Sequence, residues 1–145
     1  MDYEKINFKH TVPVQIRFND LDVFAHVNNA VIQEYFDLGR LYYLQQILEG
    51  ELKTGENTLI IASIKTDFSE PVFLEDNIVV KTSVYAIGEK SLRMIQVLAD
   101  KHTGNEKAVC ESVMVAFNKK LLQSVGFPEK WRKDITEYED RVQED

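Results

Sequence analysis

Near the start of the chain, Val12, Val14, Ile16 and Phe18 alternate with Thr11, Gln15 and Arg17. A period of two marks a half-buried strand, and Pro13, which has no N–H to give to a ladder, puts that strand at an edge or near its start. The acid-rich stretch from Asn19 to Val27 reads as a loop. The period then lengthens. From Ala30 to about Leu48, a row formed by Val31, Tyr35, Leu38 and Tyr42 runs beside a second, Ile32, Phe36, Gly39 and Tyr43. Two adjacent rows make a broad apolar stripe, so the segment is predicted as a deeply covered helix. Asn28 or Asn29 caps its start, Gly50 and Gly55 mark its end and the next turn, and Asp37 and Arg40 pair one turn apart on its polar side. Gly39 costs about 1 kcal/mol relative to Ala inside a helix, which marks a close approach to another element.

Beyond the helix the period returns to two. Leu59 to Phe68, Ile78 to Ile87, Ser91 to Leu98 and Lys107 to Phe117 are strand-like runs rich in Ile, Val, Phe and Tyr. The links at Glu70-Pro71, at 88–90 and at 100–105 are short and turn-like, so successive strands are expected as antiparallel neighbours. Pro128 to about Val142, with Trp131 and Ile135 on one side, reads as a peripheral helix with an acidic, frayed tail. A single broad apolar helix needs a large partner surface, and a sheet of about five strands curled around it supplies one. The expectation is an α+β fold in one domain over residues 1–145, with no internal repeat or linker composition.

Composition narrows what such a domain does. Seventeen Lys and Arg against twenty-four Asp and Glu give a formal charge of −7, which repels nucleic-acid phosphates and anionic membrane surfaces. Neither is an expected partner. The 44% hydrophobic and 28% charged fractions are those of a globular chain and exclude fibre and disorder. Cys110, the single cysteine, cannot form an intramolecular disulfide or a cysteine-built zinc site and reads as a small buried hydrophobe. Met1 to Lys5 lack the pattern of a signal peptide and no apolar run reaches the length of a membrane span, so a cytoplasmic location is expected.

The densest polar cluster, Asp20-Leu21-Asp22-Val23-Phe24-Ala25-His26-Val27-Asn28-Asn29, lies between the first strand and the helix N-terminus. That terminus carries free amide donors and partial positive charge, which stabilise an oxygen that turns negative when a carbonyl is attacked. A carboxylate beside it, with an unperturbed pKa near ~3.9, is ionised at neutral pH and can act as base or nucleophile. The same residue types are also favoured before helices simply as caps and turn formers. A metal held by Asp20, Asp22 and His26 is conceivable, although only three ligands cluster, with His10 and His102 in a strand margin and a turn. A serine hydrolase is poorly supported, because G-x-S-x-G is absent and Ser63, Ser69, Ser83 and Ser91 lie in or beside strands. Tyr35, Phe36, Tyr42 and Tyr43 read as core or interface.

Arg17-Phe18-Asn19-Asp20-Leu21-Asp22-Val23-Phe24-Ala25-His26-Val27-Asn28-Asn29, followed by Glu34-Tyr35-Phe36-Asp37 and Arg40, resembles the signature of the 4-hydroxybenzoyl-CoA thioesterase-like branch of the hotdog-fold acyl-CoA thioesterases. Phe68-Ser69-Glu70-Pro71-Val72 is similar to a strand end of the same family. The resemblance implies a hotdog fold, a long central helix wrapped by a five-stranded antiparallel sheet, which the periodicity reaches on its own. It implies that Asp22 is catalytic, as nucleophile on a thioester carbonyl or as general base for water. Backbone amides from Val27 to Asn29 would polarise that carbonyl, and His26, Asn28 and Asn29 would orient the substrate. It further implies an acyl-CoA substrate, no metal or redox cofactor, and a homodimer or homotetramer with active sites between subunits. An edge strand without a partner points to self-association by a separate route.

Two positions depart from the family pattern. Ala25 stands where the motif has Gly, and strains or narrows the site if that position needs a positive φ. Ile32 stands where a Tyr is often found, and makes that wall apolar, suited to an aliphatic acyl chain. Lys90, Arg93, Lys101 and Lys107 are either solvated surface charges or contacts for coenzyme A phosphates. Two further readings stay open: an acyl-carrier-protein thioesterase, which a basic docking patch would favour, and a non-catalytic hotdog protein that binds acyl groups or thioesters.

Overall fold

The computed structural model describes residues 3–48 and 51–144; Gly50, expected at a helix end, lies outside them. The elements are β1 (His10–Val14), α1 (Asn29–Leu48), α2 (Glu51–Thr54), β2 (Asn57–Phe68), β3 (Ile78–Ile87), β4 (Ser91–Asp100), β5 (Glu106–Asn118), β6 (Gln123–Ser124), α3 (Glu129–Tyr138) and β7 (Gln143–Glu144). The five long strands form one antiparallel sheet in the order β1-β3-β4-β5-β2, to which β6 and β7 add two-residue pairings at β5 and β3. With α1 along one face, this is the helix-on-sheet arrangement that the periodicity predicts and that the resemblance implies as a hotdog fold.

Tight links make β3, β4 and β5 neighbours, as predicted. The link at residues 69–77 behaves differently. β2 pairs with β5 instead of β3, so this segment carries the chain past the end of the sheet and becomes a wall of the site. Pro13 is accommodated because β1 is an edge strand, with Pro13 opposite Val79.

β1 stops at Val14, short of the predicted Phe18. The Asp20 side chain accepts the Arg17 N–H at 2.9 Å, drawing the backbone into a 3-10 turn over Phe18–Asp20 and leaving Phe18 77% exposed. Local side-chain capture of a backbone donor outcompetes the strand ladder here.

Of the two helical rows, Ile32, Phe36, Gly39 and Tyr43 are all buried, whereas Tyr42 of the other row is exposed. Gly39 meets the expectation of close approach: a Cβ there would lie 2.5 Å from Val80 Cγ1 and 3.1 Å from Gln96 Nε2. Arg40 corrects the expected polar face. It is 3% exposed, with Nη1 2.6 Å from Asp37 Oδ1 and Nη2 3.2 Å from Gln96 Oε1, so the Asp37–Arg40 pair forms with its cation under the helix. The first half of α1 packs Ile32, Tyr35 and Phe36 against Val27, Val72, Val80 and Leu98. Its second half packs Tyr43, Leu44, Ile47 and Leu48 against Met94, Met114, Trp131 and Ile135. Cys110 is fully buried, as its neighbours predicted.

The tail is not frayed. α3 ends at Tyr138, and the chain then returns to the sheet, where β7 pairs in parallel with Ala86 and Ile87. Along β3, β1 reaches Thr82 and β7 begins at Ala86, which leaves the Val84 N–H facing a gap in the edge. Glu139 fills it. Its carboxylate accepts from Val84 N–H at 3.3 Å, Ser83 Oγ at 3.0 Å and Tyr43 Oη at 2.6 Å. Burial pushes both the Glu139 carboxyl and the Tyr43 phenol above their ordinary ranges.

Candidate active site

Leu21 and Val27 form an isolated antiparallel bridge, so the segment between them is a miniature hairpin. Asp22 N–H donates to His26 O at 2.9 Å and Ala25 N–H to Asp22 O at 3.1 Å. Ala25, with φ of 64°, supplies the left-handed residue that closes this three-residue loop. A left-handed non-glycine residue costs roughly 1–2 kcal/mol, so the expected strain at this position is present. Exchange for Gly relieves it but gives the unfolded chain more freedom, worth ~0.4–1 kcal/mol in the other direction. Ala25→Gly is therefore expected to stabilise the protein by up to about 1 kcal/mol in urea unfolding; a loss of stability would show that the Cβ has a packing role.

The two aspartates of the hairpin are separated by burial. Asp20 is 4% exposed, and its Oδ2 accepts from Tyr35 Oη at 2.6 Å as well as from Arg17 N–H. Its burial and the bond to Asp20 hold the Tyr35 phenol protonated far above the ordinary range. Asp20 is thus a structural strut between hairpin and helix. Asp22 is partly exposed; its Oδ1 accepts Phe24 N–H at 2.9 Å, an Asx-type bond that leaves the other oxygen available.

Asn28 is the cap. Its Oδ1 accepts Ala30 N–H at 2.8 Å, while its carbonyl accepts Val31 and Ile32 N–H. Of the three amides expected to polarise a carbonyl, Val27 donates to Val72 O at 2.8 Å and Asn28 to Asp20 O at 2.9 Å. No acceptor for the Asn29 N–H occurs among the described residues, and at the first position of α1 that donor lies at the positive end of the helix.

His26, Val27, Asn29 and Ile32 line a cleft of about 260 Å³ together with Phe68, Ser69, Glu70 and Pro71. The His26 ring meets Phe73 edge-on at 5.5 Å. Ile32 makes this part of the wall apolar, as expected. The structure brings together His26, Val27 and Asn29 of the predicted set; Asp22 and Asn28 belong to the adjoining hairpin and cap. The wall residues Ser69 and Glu70 escaped sequence reasoning as site residues, their only signal being the resemblance of that segment to a family strand end. A larger cavity of about 860 Å³ lies at the β3 edge beside Glu139, where the buried carboxylate is already held by three donors. Lys107, grouped by sequence with surface cations, is 9% exposed and sits 3.3 Å from Glu70 Oε2.

The family model of a thioesterase-like superfamily matches residues 16–135 of the chain. A Bacillus subtilis (strain 168) protein, YsmA, is 27% identical over 134 residues, covering 90% of this chain and 88% of its own. A thioesterase from Thermus thermophilus, solved with coenzyme A and zinc, is 32% identical with a TM-score of 0.80, covering 90% of this chain and 99% of that one. A Synechocystis 1,4-dihydroxy-2-naphthoyl-CoA thioesterase is 15% identical and matches in fold, with a TM-score of 0.77 over 87% of this chain and 94% of that one.

Proposed function

The chain belongs to the thioesterase-like superfamily and is a thioester hydrolase, and from that premise we propose that it hydrolyses an acyl-CoA to the free acid and coenzyme A at the N-terminus of α1. The observation that carries this reading is that Asn29, whose N–H is a helix-terminal donor without an acceptor among the described residues, lines a cleft beside the Asp22 hairpin. A thioester carbonyl placed there gains a hydrogen bond and the helix field as its oxygen turns negative. Asp22 supplies the carboxylate, as nucleophile or as base, and His26 and Asn28 keep the hairpin and helix start in place. Free-thiol release from a panel of short, long and aromatic acyl-CoAs tests the reading. Turnover of at least one member is the expected result. A panel with no turnover, by protein shown to be folded, favours a carrier-protein substrate or binding without hydrolysis.

The same reading takes the protein as a homodimer joined through β2. Ile60, Ile61, Ile64 and Phe68 of this strand are all exposed, and β2 is an outer strand of the sheet. A long apolar edge of this kind invites pairing with another strand. An antiparallel pairing of two copies centred on Thr66 sets Lys65 of each opposite Asp67 of the other and Ile64 opposite Phe68, complementary in charge and in apolar contact. Sedimentation is expected to give twice the chain mass for the native protein and the single mass for Ile64→Lys. A native monomer would refute the arrangement. No helix among the described residues is long and apolar enough to cross a membrane.

A further inference from the structure

The cleft contains a carboxylate to which the proposed chemistry gives no task. Glu70 lines it together with Asn29 and His26, while Asp22 stands in the neighbouring hairpin. Glu70 is held from two directions. Its own N–H and that of Ser69 donate to Lys107 O at 3.2 and 2.9 Å, and its Oε2 lies 3.3 Å from Lys107 Nζ. Lys107 is buried and also sits 3.8 Å from Asp76 Oδ2. That oxygen in turn accepts Phe73 N–H at 2.9 Å, and the Phe73 ring packs on His26. One buried cation therefore fixes both the carboxylate and the aromatic wall behind the histidine. With 47% of its side chain exposed, Glu70 remains in reach of water. An ordinary surface ion pair contributes little to stability; this one is distinguished by a carboxylate that lines the same cleft as the first residue of α1.

We propose that Glu70 is the general base for the water that completes hydrolysis, an inference that rests on the thioesterase reading. In the first step an Asp22 oxygen attacks the thioester carbonyl carbon, the C–S bond breaks, and the thiolate leaves and takes a proton from solvent. The acyl group is then an anhydride on Asp22. In the second step a water oxygen adds to the acyl carbonyl carbon while one of its protons passes to Glu70. The bond to Asp22 breaks, the acid departs, and Glu70 releases its proton to solvent. Water is the only co-reactant. The placement suits this division: Phe24 N–H holds one Asp22 oxygen and Lys107 one Glu70 oxygen, so each carboxylate keeps a second oxygen for its half of the reaction.

Rapid mixing of Glu70→Gln with an acyl-CoA that the native enzyme turns over, followed by intact-protein mass measurement, tests the assignment. The expected result is a burst of about one thiol per site at a near-native rate and a steady state at least ~100-fold slower, the size of a lost general base. The protein mass rises by the acyl group, and this adduct is absent from the Asp22→Asn/Glu70→Gln double variant. Native steady-state turnover in Glu70→Gln overturns the proposal and leaves the thioesterase reading intact. A slow steady state with neither burst nor adduct overturns the two-step assignment. A native enzyme inactive on every acyl-CoA overturns both.

Discussion

Asp22→Asn is expected to lower free-thiol release by roughly a hundredfold or more on whichever acyl-CoA the native protein prefers. An amide is neither a base at neutral pH nor a competent nucleophile, so the loss falls on the chemical step whichever role the carboxylate has. The substitution is a clean probe because Asn retains Oδ1. The Phe24 N–H bond that shapes the turn can therefore persist, and the stability change is expected within about 0.5 kcal/mol, as for other surface positions. The measurement is kcat and KM beside the unfolding midpoint. Full activity in the variant would remove Asp22 from the chemistry and leave the fold and family as they stand. A fall in activity with an equal fall in stability would place Asp22 with Asp20 as a strut.

The largest effect on stability is expected at Glu139, far from the cleft. Glu139→Ala leaves Tyr43 Oη, Ser83 Oγ and Val84 N–H without their shared acceptor. Each buried unsatisfied donor costs ~1–3 kcal/mol. Allowing for water that enters the space, the variant is expected to lose about 3–5 kcal/mol, a large part of the ~5–15 kcal/mol that holds a domain folded. The pH dependence has a definite sign. Burial raises the Glu139 pKa in the folded state above its unfolded value. Its contribution is therefore complete below the unfolded pKa and declines as pH rises through the folded one. The stability gap between native protein and Glu139→Ala should be wider near the acid end of the folded range than at mild alkaline pH. Urea titrations at several pH values measure it; a gap below about 1 kcal/mol throughout would mean that water replaces the carboxylate without loss.

Most of the scaffold is legible in the sequence because periodicity is a local property. The period-two runs became β2 to β5, and the double row became α1, with Gly39 against Val80 as its position implied. What escaped depends on contacts distant in sequence. Phe18 continues the alternation of β1 yet is exposed, because Asp20 captures a backbone donor. Arg40 looks like a polar-face residue until Gln96, on a strand 56 positions later, is placed beneath it. The roles of Asp20 and Asp22 cannot be told apart by spacing; the Tyr35 hydroxyl that occupies one of them comes from two turns into the helix. Glu139 is one acid in an acidic tail, and its burial follows from a gap between two strand pairings that no local pattern contains. The Ala25 departure, by contrast, was visible in sequence, and its φ of 64° carries the strain expected of it.

The seal at the β3 edge also bears on the order in which the chain can mature during synthesis. Tyr43 and Glu139 are 96 positions apart, and Ser83 and Glu139 are 56 apart. A nascent chain has made α1 and the β3–β4–β5 strands before residue 139 is added. Until that residue emerges, the Val84 amide has only water to bond and the Tyr43 phenol lacks its carboxylate. At the ~5–20 residues per second of translation, the interval from Asn118, the end of β5, to Glu139 is about 1–4 seconds. During that time the sheet has an open side that the finished protein never exposes, and capture of that side by another nascent chain would be a competing fate.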